Sequence, residues 1–211
     1  MRYSKTASGR EAPPEKTVAQ AGEIVLKSTV SDILYEREIP MDFEKLAAER
    51  YSLRKFSDQP VEEETLARIL EAGRNAPTAH NNQPQRILVL RSKEALALAD
   101  GCARSHFDSP VMLVVSYDPA DAWIREEDGK NHGEIDAAIA TTQMMLQAAD
   151  LGLGTTYIGM FDPEKLRAAF PKELAGLVPI ALLALGYPAE NARPSRLHTE
   201  RKPLEKMIRY R

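Results

Sequence analysis

The sequence predicts an α+β fold in which helices flank a central β-sheet. From residue 41 onward, segments with helical apolar spacing alternate with short apolar runs that are typical of strands. Two of these runs, Val111–Val115 and Ile180–Leu185, are apolar throughout, which indicates strands that are buried on both faces. The chain contains no internal repeat, so a repeat architecture is not expected.

Two helices are predicted at the start of this patterned region. Asp42 is a candidate N-cap for the first helix. One side of that helix carries Phe43, Leu46, Ala47 and Arg50. The second helix opens after Pro60 with Glu62–Glu64, whose negative charge suits the positive end of the helix dipole. Pro77 ends it, and its apolar stripe is formed by Leu66, Ile69, Leu70 and Gly73.

The remaining elements follow from the same patterns. Strands are predicted at Ile87–Leu90, Val111–Tyr117, Thr155–Met160 and Val178–Leu185. Helices are predicted at Lys93–Asp100, 133–151 and Pro163–Phe170. One face of the longest helix carries Ile135, Ala138, Ile139, Thr142, Met145, Leu146 and Ala149. The tail 187–211 is rich in proline and arginine, which predicts an extended segment.

The chain divides into two unequal parts. Residues 1–40 begin with a polar stretch without periodicity, and we expect them to be a flexible N-terminal extension or a misassigned start. They contain six basic and six acidic residues, so the whole net charge of −3 belongs to residues 41–211. We expect residues 41–211 to form the functional domain.

Composition excludes several classes of protein. The slight negative charge gives no basic excess for a general affinity for nucleic acid or for anionic membranes. Cys102 is the single cysteine, which excludes an intrachain disulfide and a cysteine-based metal cluster within one chain. The longest apolar runs are far shorter than the roughly 20 residues of a membrane-spanning helix. We therefore expect a cytoplasmic protein.

Familiar nucleotide and metal motifs are absent. The segment Gly152-Leu153-Gly154 follows a helix rather than a strand and lacks the third glycine of a dinucleotide-binding loop. Met160 stands where a phosphate-binding loop of the P-loop type would need its lysine. The four histidines have no metal-ligand spacing, so no metal site is expected.

Three polar stretches are candidates for ligand binding. Arg50–Phe56 combines arginines and a serine, which suit a phosphate group. Ala76–Pro84 brackets neutral hydrogen-bonding side chains between two prolines, which suits the edge of a planar heterocycle. Arg201–Glu205 is able to complete an anion site. Each stretch alone is equally compatible with a solvated helix end, an ordinary polar loop or an exposed tail.

Together and in order, these stretches resemble the FMN-dependent nitroreductase family. The resemblance runs from about Met41 to Ile208 and rests on the motifs RYSLRKFSDQPV, EAGRNAPTAHNNQPQ, IDAAIATTQMMLQAADLGLGTTYIG, ALLALGYPAE and ERKPLEKM. The short span between Ile87 and Asp136 is similar to a compact branch of that family. One departure is His80, which stands where the family often has a small residue.

The resemblance implies a fold, a cofactor and a set of contacts. It implies a central mixed, mainly antiparallel sheet and an intertwined homodimer, whose C-terminal tails embrace the partner and which binds two FMN molecules at its interface. Near the phosphate and ribityl chain it implies Arg50, Tyr51, Ser52, Arg54, Arg201 and Lys202. For a loop that reaches the flavin from the other subunit it implies Pro77, Thr78, Ala79, Asn81 and Gln83. Beside the flavin ring it implies Tyr157, Ile158 and Gly159, with Asp136 facing the site.

The implied activity is that of an NAD(P)H oxidoreductase. NADH or NADPH would reduce the flavin in one half-reaction, and a small electron acceptor, such as a nitroaromatic or a quinone, would reoxidise it in the other. Arg54 would stabilise the negative charge of the reduced flavin. Two alternatives remain open: a flavoenzyme of the same fold with different chemistry, such as dehalogenation, enone reduction or flavin destruction, and a non-catalytic flavin-binding dimer.

Overall fold

The computed structural model describes residues 42–211, so the predictions for residues 1–40 and for Met41 lie outside the described residues. Five helices are present: α1 Phe43–Glu49, α2 Glu63–Arg74, α3 Lys93–Asp100, α4 Gly133–Asp150 and α5 Pro163–Ala169. Four strands accompany them: β1 Gln85–Leu90, β2 Val111–Tyr117, β3 Gly154–Ile158 and β4 Val178–Gly186. Short 3₁₀ helices occupy Ala79–Asn81, Arg196–Thr199 and Leu204–Lys206.

Capping explains where several helices begin. The Asp42 carboxylate accepts a hydrogen bond from the Lys45 backbone N–H at 3.0 Å, so Asp42 is the N-cap of α1 as its sequence position predicts. Asp162 caps α5 in the same way, and Pro163 follows at a position that tolerates proline. Within residues 42–211, no helix combines the length and the apolar character needed to cross a lipid bilayer.

The four strands form one antiparallel sheet in the order β1-β2-β4-β3. Ser52 adds an isolated parallel bridge to Thr155 at the outer edge of β3. The predicted α+β fold with a mainly antiparallel sheet is confirmed. Gln85 pairs with Tyr117 at one end of the sheet, which we call the Gln85 end. Gly154 pairs with Gly186 at the other, the Gly154 end.

The sheet is covered on both faces. Alternate side chains of β2 and β4 enter two separate apolar clusters, as the two-residue period of a strand requires. One cluster packs the sheet against α2 and α4, with Ile69 and Met144 at its centre. The other packs it against α3 and α5, with Leu166 fully buried. This three-layer arrangement explains why VMLVVSY is almost entirely buried.

The apolar face that periodicity assigns to α4 is not the face that the sheet buries. The buried residues are mostly small: Gly133, Asp136, Ala137, Ala140, Thr141, Met144 and Ala148. Their small size lets the helix approach the sheet closely. At Gly133 the approach is so close that an added Cβ would lie 2.1 Å from the Tyr117 ring. Ile135 and Ile139 of the predicted face remain exposed.

A glycine contact positions the segment after α1 against the sheet. Leu53 is buried, and its backbone N–H donates to the Thr155 carbonyl at 2.9 Å. A Cβ on Gly154 would lie 2.5 Å from the Leu53 side chain, so only glycine permits this approach. The neighbouring residues Arg50, Ser52 and Arg54 are thereby fixed beside the first residues of β3.

We expect Gly154→Ala to destabilise the protein by about 1–3 kcal/mol, because the added methyl group overlaps the side chain of the buried Leu53. The measurement is the free energy of unfolding from denaturant titration. Gly101→Ala is the matched control, since a Cβ there would meet its nearest atoms only at 3.4 Å. Equal stability of the two variants would contradict this account of the contact.

Candidate functional site

A cavity of about 220 Å³ lies where the segment after α1 meets the C-terminal tail. It is lined by Arg50, Tyr51, Ser52, Arg54, Ser195, Leu197, His198 and Arg201. The fold thus brings together residues near the start of the described chain and a residue near its end. These five sequence-predicted residues share one site: Arg50, Tyr51, Ser52, Arg54 and Arg201.

The backbone of the segment explains how its side chains reach the cavity. Arg50 ends α1 and turns the chain into an extended conformation. Because successive side chains of an extended chain point to opposite sides, Leu53 enters the core while Ser52 and Arg54 line the cavity. The Thr156 hydroxyl donates to the Leu53 carbonyl and adds a second tie to β3.

The tail supplies residues that sequence reasoning missed. Ser195 caps the 3₁₀ helix Arg196–Thr199 by accepting a hydrogen bond from the Leu197 N–H at 3.3 Å. The His198 ring then meets the Tyr51 ring edge to face, with 6.1 Å between centroids. The sequence signal for this turn is a serine after Pro194, which is typical of a capped helical turn.

The arginines of the cavity carry charge that the described chain leaves unneutralised. Within residues 42–211, no carboxylate forms an ion pair with Arg50, Arg54 or Arg201. Arg54 donates to the Ser52 carbonyl at 3.4 Å, and Arg201 donates to the Glu200 carbonyl at 2.9 Å and to the His198 carbonyl. Three guanidinium groups beside one serine hydroxyl suit a phosphate group. Lys202 is exposed and does not line the cavity.

The predicted loop 77–83 lies elsewhere, before β1 at the Gln85 end of the sheet. Its own side chains stiffen it, because the Thr78 hydroxyl accepts from the Gln83 N–H at 3.0 Å and the Gln83 amide donates to the Asn81 carbonyl at 3.2 Å. His80, Asn81 and Gln83 all have a positive φ, between 53° and 57°. Left-handed backbone at three non-glycine residues is strained and needs support from outside the loop.

Two groups outside the loop supply that support. Asp136, only 2% exposed, accepts a hydrogen bond from the Ala79 N–H at 3.0 Å. The His80 ring stacks on Trp123 with 5.3 Å between centroids, and Trp123 meets the edge of His132 at 4.7 Å. Sequence reasoning did not single out Trp123 or His132, and the one available signal was that the chain has a single tryptophan.

The predicted residues of β3 lie at the exposed edge of the sheet. Tyr157 is 42% exposed, and its hydroxyl donates to the Ile180 carbonyl at 3.4 Å. Partial burial, and to a lesser degree the Glu134 carboxylate, raise the pKa of Tyr157, so its phenol is neutral at neutral pH. Ile158 is buried. Gly159 faces open space, since a Cβ there would meet only Tyr157, at 3.7 Å.

Apart from Lys202 and the residues at the end of β3, the predicted site residues therefore form two groups in one chain. The arginine cavity is at the Gly154 end, next to the start of β3, and the loop with Asp136 is at the Gln85 end. No loop residue lines the arginine cavity. Among the described residues, no group of three or more histidine, cysteine, aspartate or glutamate side chains is arranged to hold a metal ion.

Comparison with known proteins bears on both groups. The model of the nitroreductase family matches residues 47–105 and 97–187, which include most of the described chain. The chain belongs to the nitroreductase family. The matched residues include the segment after α1, the loop before β1 and all four strands. The extended tail with Arg201 lies beyond them.

Individual relatives and solved structures agree with this assignment. An NADH dehydrogenase of Thermus thermophilus is 33% identical over 204 residues, covering 81% of this chain and 97% of that protein. The structure of a nitroreductase family protein from Clostridium difficile 630 has a TM-score of 0.74 and 37% identity, covering 81% of this chain and 98% of that one. The structure of a protein from Desulfovibrio desulfuricans in complex with FMN has a TM-score of 0.67 and 27% identity, covering 82% of this chain and 98% of that one.

We expect inorganic phosphate to raise the melting temperature of the flavin-free protein more than chloride at equal ionic strength, because it neutralises the three unpaired arginines. Arg201→Ala should remove much of that phosphate-specific increase, which differential scanning fluorimetry can measure. Lys172→Ala is the control, since it removes one exposed cation away from the cavity. Equal responses in both variants would contradict an anion site at this place.

Proposed function

We propose that this chain is an FMN-dependent NAD(P)H oxidoreductase that reduces nitroaromatic, quinone or similar electron-poor acceptors. The observation that carries the proposal is the cavity in which Arg50, Arg54 and Arg201 lie together without a carboxylate partner among the described residues. A relative that is 30% identical over 176 residues, covering 74% of this chain and 70% of that protein, is an FMN reductase of Bacillus subtilis that uses NAD(P)H. The Desulfovibrio structure, which contains FMN, has the same fold.

The residues of the cavity fit the phosphate end of FMN. The Arg50 guanidinium has no side-chain acceptor among residues 42–211, so its donors are free to form a two-pronged contact with phosphate oxygens. The Ser52 hydroxyl adds a donor, and Arg201 adds a cation from the tail. Tyr51 keeps the tail in place through its contact with His198.

The flavin ring would lie along the end of β3. Bound FMN supplies the redox chemistry, since its ring accepts hydride from NAD(P)H and passes electrons to the acceptor. The chain's part is to hold and polarise the ring: the backbone at Tyr157, Ile158 and Gly159 offers hydrogen-bond groups at an exposed sheet edge. Open space at Gly159 permits close approach, and the Arg54 charge favours the reduced, more negative flavin.

The proposed enzyme is a homodimer. Loop 77–83 and the arginine cavity lie at opposite ends of the sheet, so a site that needs both takes its loop from a second copy. Large apolar side chains remain exposed on α1, on α4 and along the tail: Phe43, Ile135, Ile139, Leu204, Met207 and Tyr210. Exposed apolar side chains of this size favour burial against a partner.

The direct test is the spectrum of the purified full-length protein and its anaerobic titration with NADH and NADPH. We expect flavin absorbance at about 450 nm that is bleached by at least one nicotinamide and restored by a nitroaromatic or a quinone. Colourless protein that does not take up added FMN would overturn the proposal. Bound flavin that no nicotinamide reduces would favour a non-catalytic flavin-binding dimer.

Arg50→Ala is the companion variant for cofactor retention. Loss of a charge-assisted phosphate contact should weaken FMN binding by about 10- to 100-fold, equivalent to roughly 1.5–3 kcal/mol. Fluorescence titration of the flavin-free protein measures the affinity. Lys172→Ala again serves as the control, and an unchanged affinity in Arg50→Ala would refute the role given to Arg50.

We also expect a truncated chain that ends after Lys202 to be a monomer rather than a dimer. This truncation keeps Arg201 and every residue that lines the cavity, but removes Leu204, Met207 and Tyr210, whose apolar side chains are exposed in the single chain. Light scattering coupled to size-exclusion chromatography measures the mass. A folded truncate that is still a dimer would show that the tail end does not hold the partner.

A further inference from the structure

Asp136 is the one charged residue buried among the described residues, and its position calls for an explanation. It lies in the first turn of α4, where the helix dipole favours negative charge. One carboxylate oxygen accepts from the Ala79 N–H at 3.0 Å, and the other is buried without a partner among residues 42–211. A small apolar side chain would fill this place at a lower desolvation cost, so packing does not account for an aspartate here.

The partner of Asp136 is the backbone of a strained loop. Ala79 begins the turn Ala79–Asn81, and the next two residues, His80 and Asn81, have φ of 54° and 57°. Such conformations cost about 1–3 kcal/mol each unless the surroundings fix them. The bond from Asp136 crosses 57 positions of sequence, so it ties the loop to the rigid helix α4 and not merely to its own neighbours.

Other contacts hold the loop at different points. The Arg86 guanidinium donates to the Gln83 carbonyl at 2.9 Å, and the Asp118 N–H donates to the Pro84 carbonyl at 2.8 Å. Trp123 supports the His80 ring. Among the described residues outside the loop, only Asp136 forms a hydrogen bond with the backbone of its N-terminal half. Loss of Asp136 would therefore release that half while the C-terminal half stays attached.

We propose that Asp136 is a positioning residue rather than a cofactor ligand. By accepting the Ala79 hydrogen bond it holds loop 77–83 in its left-handed form, which presents the exposed His80 and Asn81 in one arrangement. The effect on the electron acceptor rests on the proposed function, because it requires that loop 77–83 borders the site where the acceptor binds. The part that concerns loop order stands on the geometry alone.

The test compares Asp136→Ala with Asp136→Asn in the full-length protein. The alanine removes the acceptor, whereas asparagine keeps an oxygen that can accept from Ala79. Hydrogen exchange followed by mass spectrometry should show amides 79–83 exchanging about tenfold faster in Asp136→Ala and near the wild-type rate in Asp136→Asn. Glu94→Ala is the matched control, since Glu94 is an exposed first-turn acid of α3.

A second variant removes the donor instead of the acceptor, which keeps the test decisive if Asp136→Ala does not fold. Ala79→Pro deletes the N–H at the first position of a short helix, and Thr78 already has the extended conformation, φ −131° and ψ 155°, that precedes proline comfortably. It should accelerate exchange of the loop as Asp136→Ala does. In the double variant, which combines Asp136→Ala with Ala79→Pro, the loop should exchange no faster than in the faster of the two single variants, because both substitutions remove the same hydrogen bond.

Steady-state kinetics supply the functional readout. Asp136→Ala should raise KM for a nitroaromatic acceptor about five- to tenfold with little change in kcat. In Asp136→Asn, KM should stay near the wild-type value. Unchanged exchange in Asp136→Ala, or an asparagine variant as defective as alanine, would overturn the inference. If the wild-type protein neither binds FMN nor oxidises NAD(P)H, the proposed function fails, and the exchange data still decide the role of Asp136.

Discussion

The close contact between Leu53 and Gly154 is the constraint on which the arginine cavity depends. Leu53 enters the core only because residue 154 has no side chain, and its entry pins the extended segment against β3. The backbone that carries Ser52 and Arg54, on the opposite side of that segment, is then held against β3. A hydrophobic contact thus sets the geometry of a polar site, which reduces the conformational entropy lost when a ligand binds.

The two groups of site residues are stabilised by different physics. The segment around Ser52 gains its order from burial of an apolar neighbour and from backbone pairing with an edge strand. The loop around His80 has almost no buried apolar side chain, and it relies on single polar contacts and one ring stack. Local opening is easier where few apolar contacts must be broken, so the loop is the less stable part of the site.

Much of the fold was accessible from the sequence because its elements have strong local signals. The strand VMLVVSY, the capped helices and the glutamates that open α2 are each specified by neighbouring residues. The buried face of α4 was not, because small residues such as Ala140 pack against a sheet as closely as large ones, and hydrophobicity alone does not distinguish them. The contact between His80 and Trp123 was also inaccessible, since it joins residues far apart in the sequence without a periodic pattern.

The separation of the arginine cavity from the loop along the sheet has a consequence for how such a chain diversifies. The cavity is coupled to the core through Leu53, so substitutions that disturb this contact affect the stability of the fold as well as the cavity. The loop is coupled to the rest by a few polar bonds, so most of its side chains can be exchanged without disturbing the interior. One scaffold in this way combines a cavity that is fixed to the core with a loop whose side chains are free to vary.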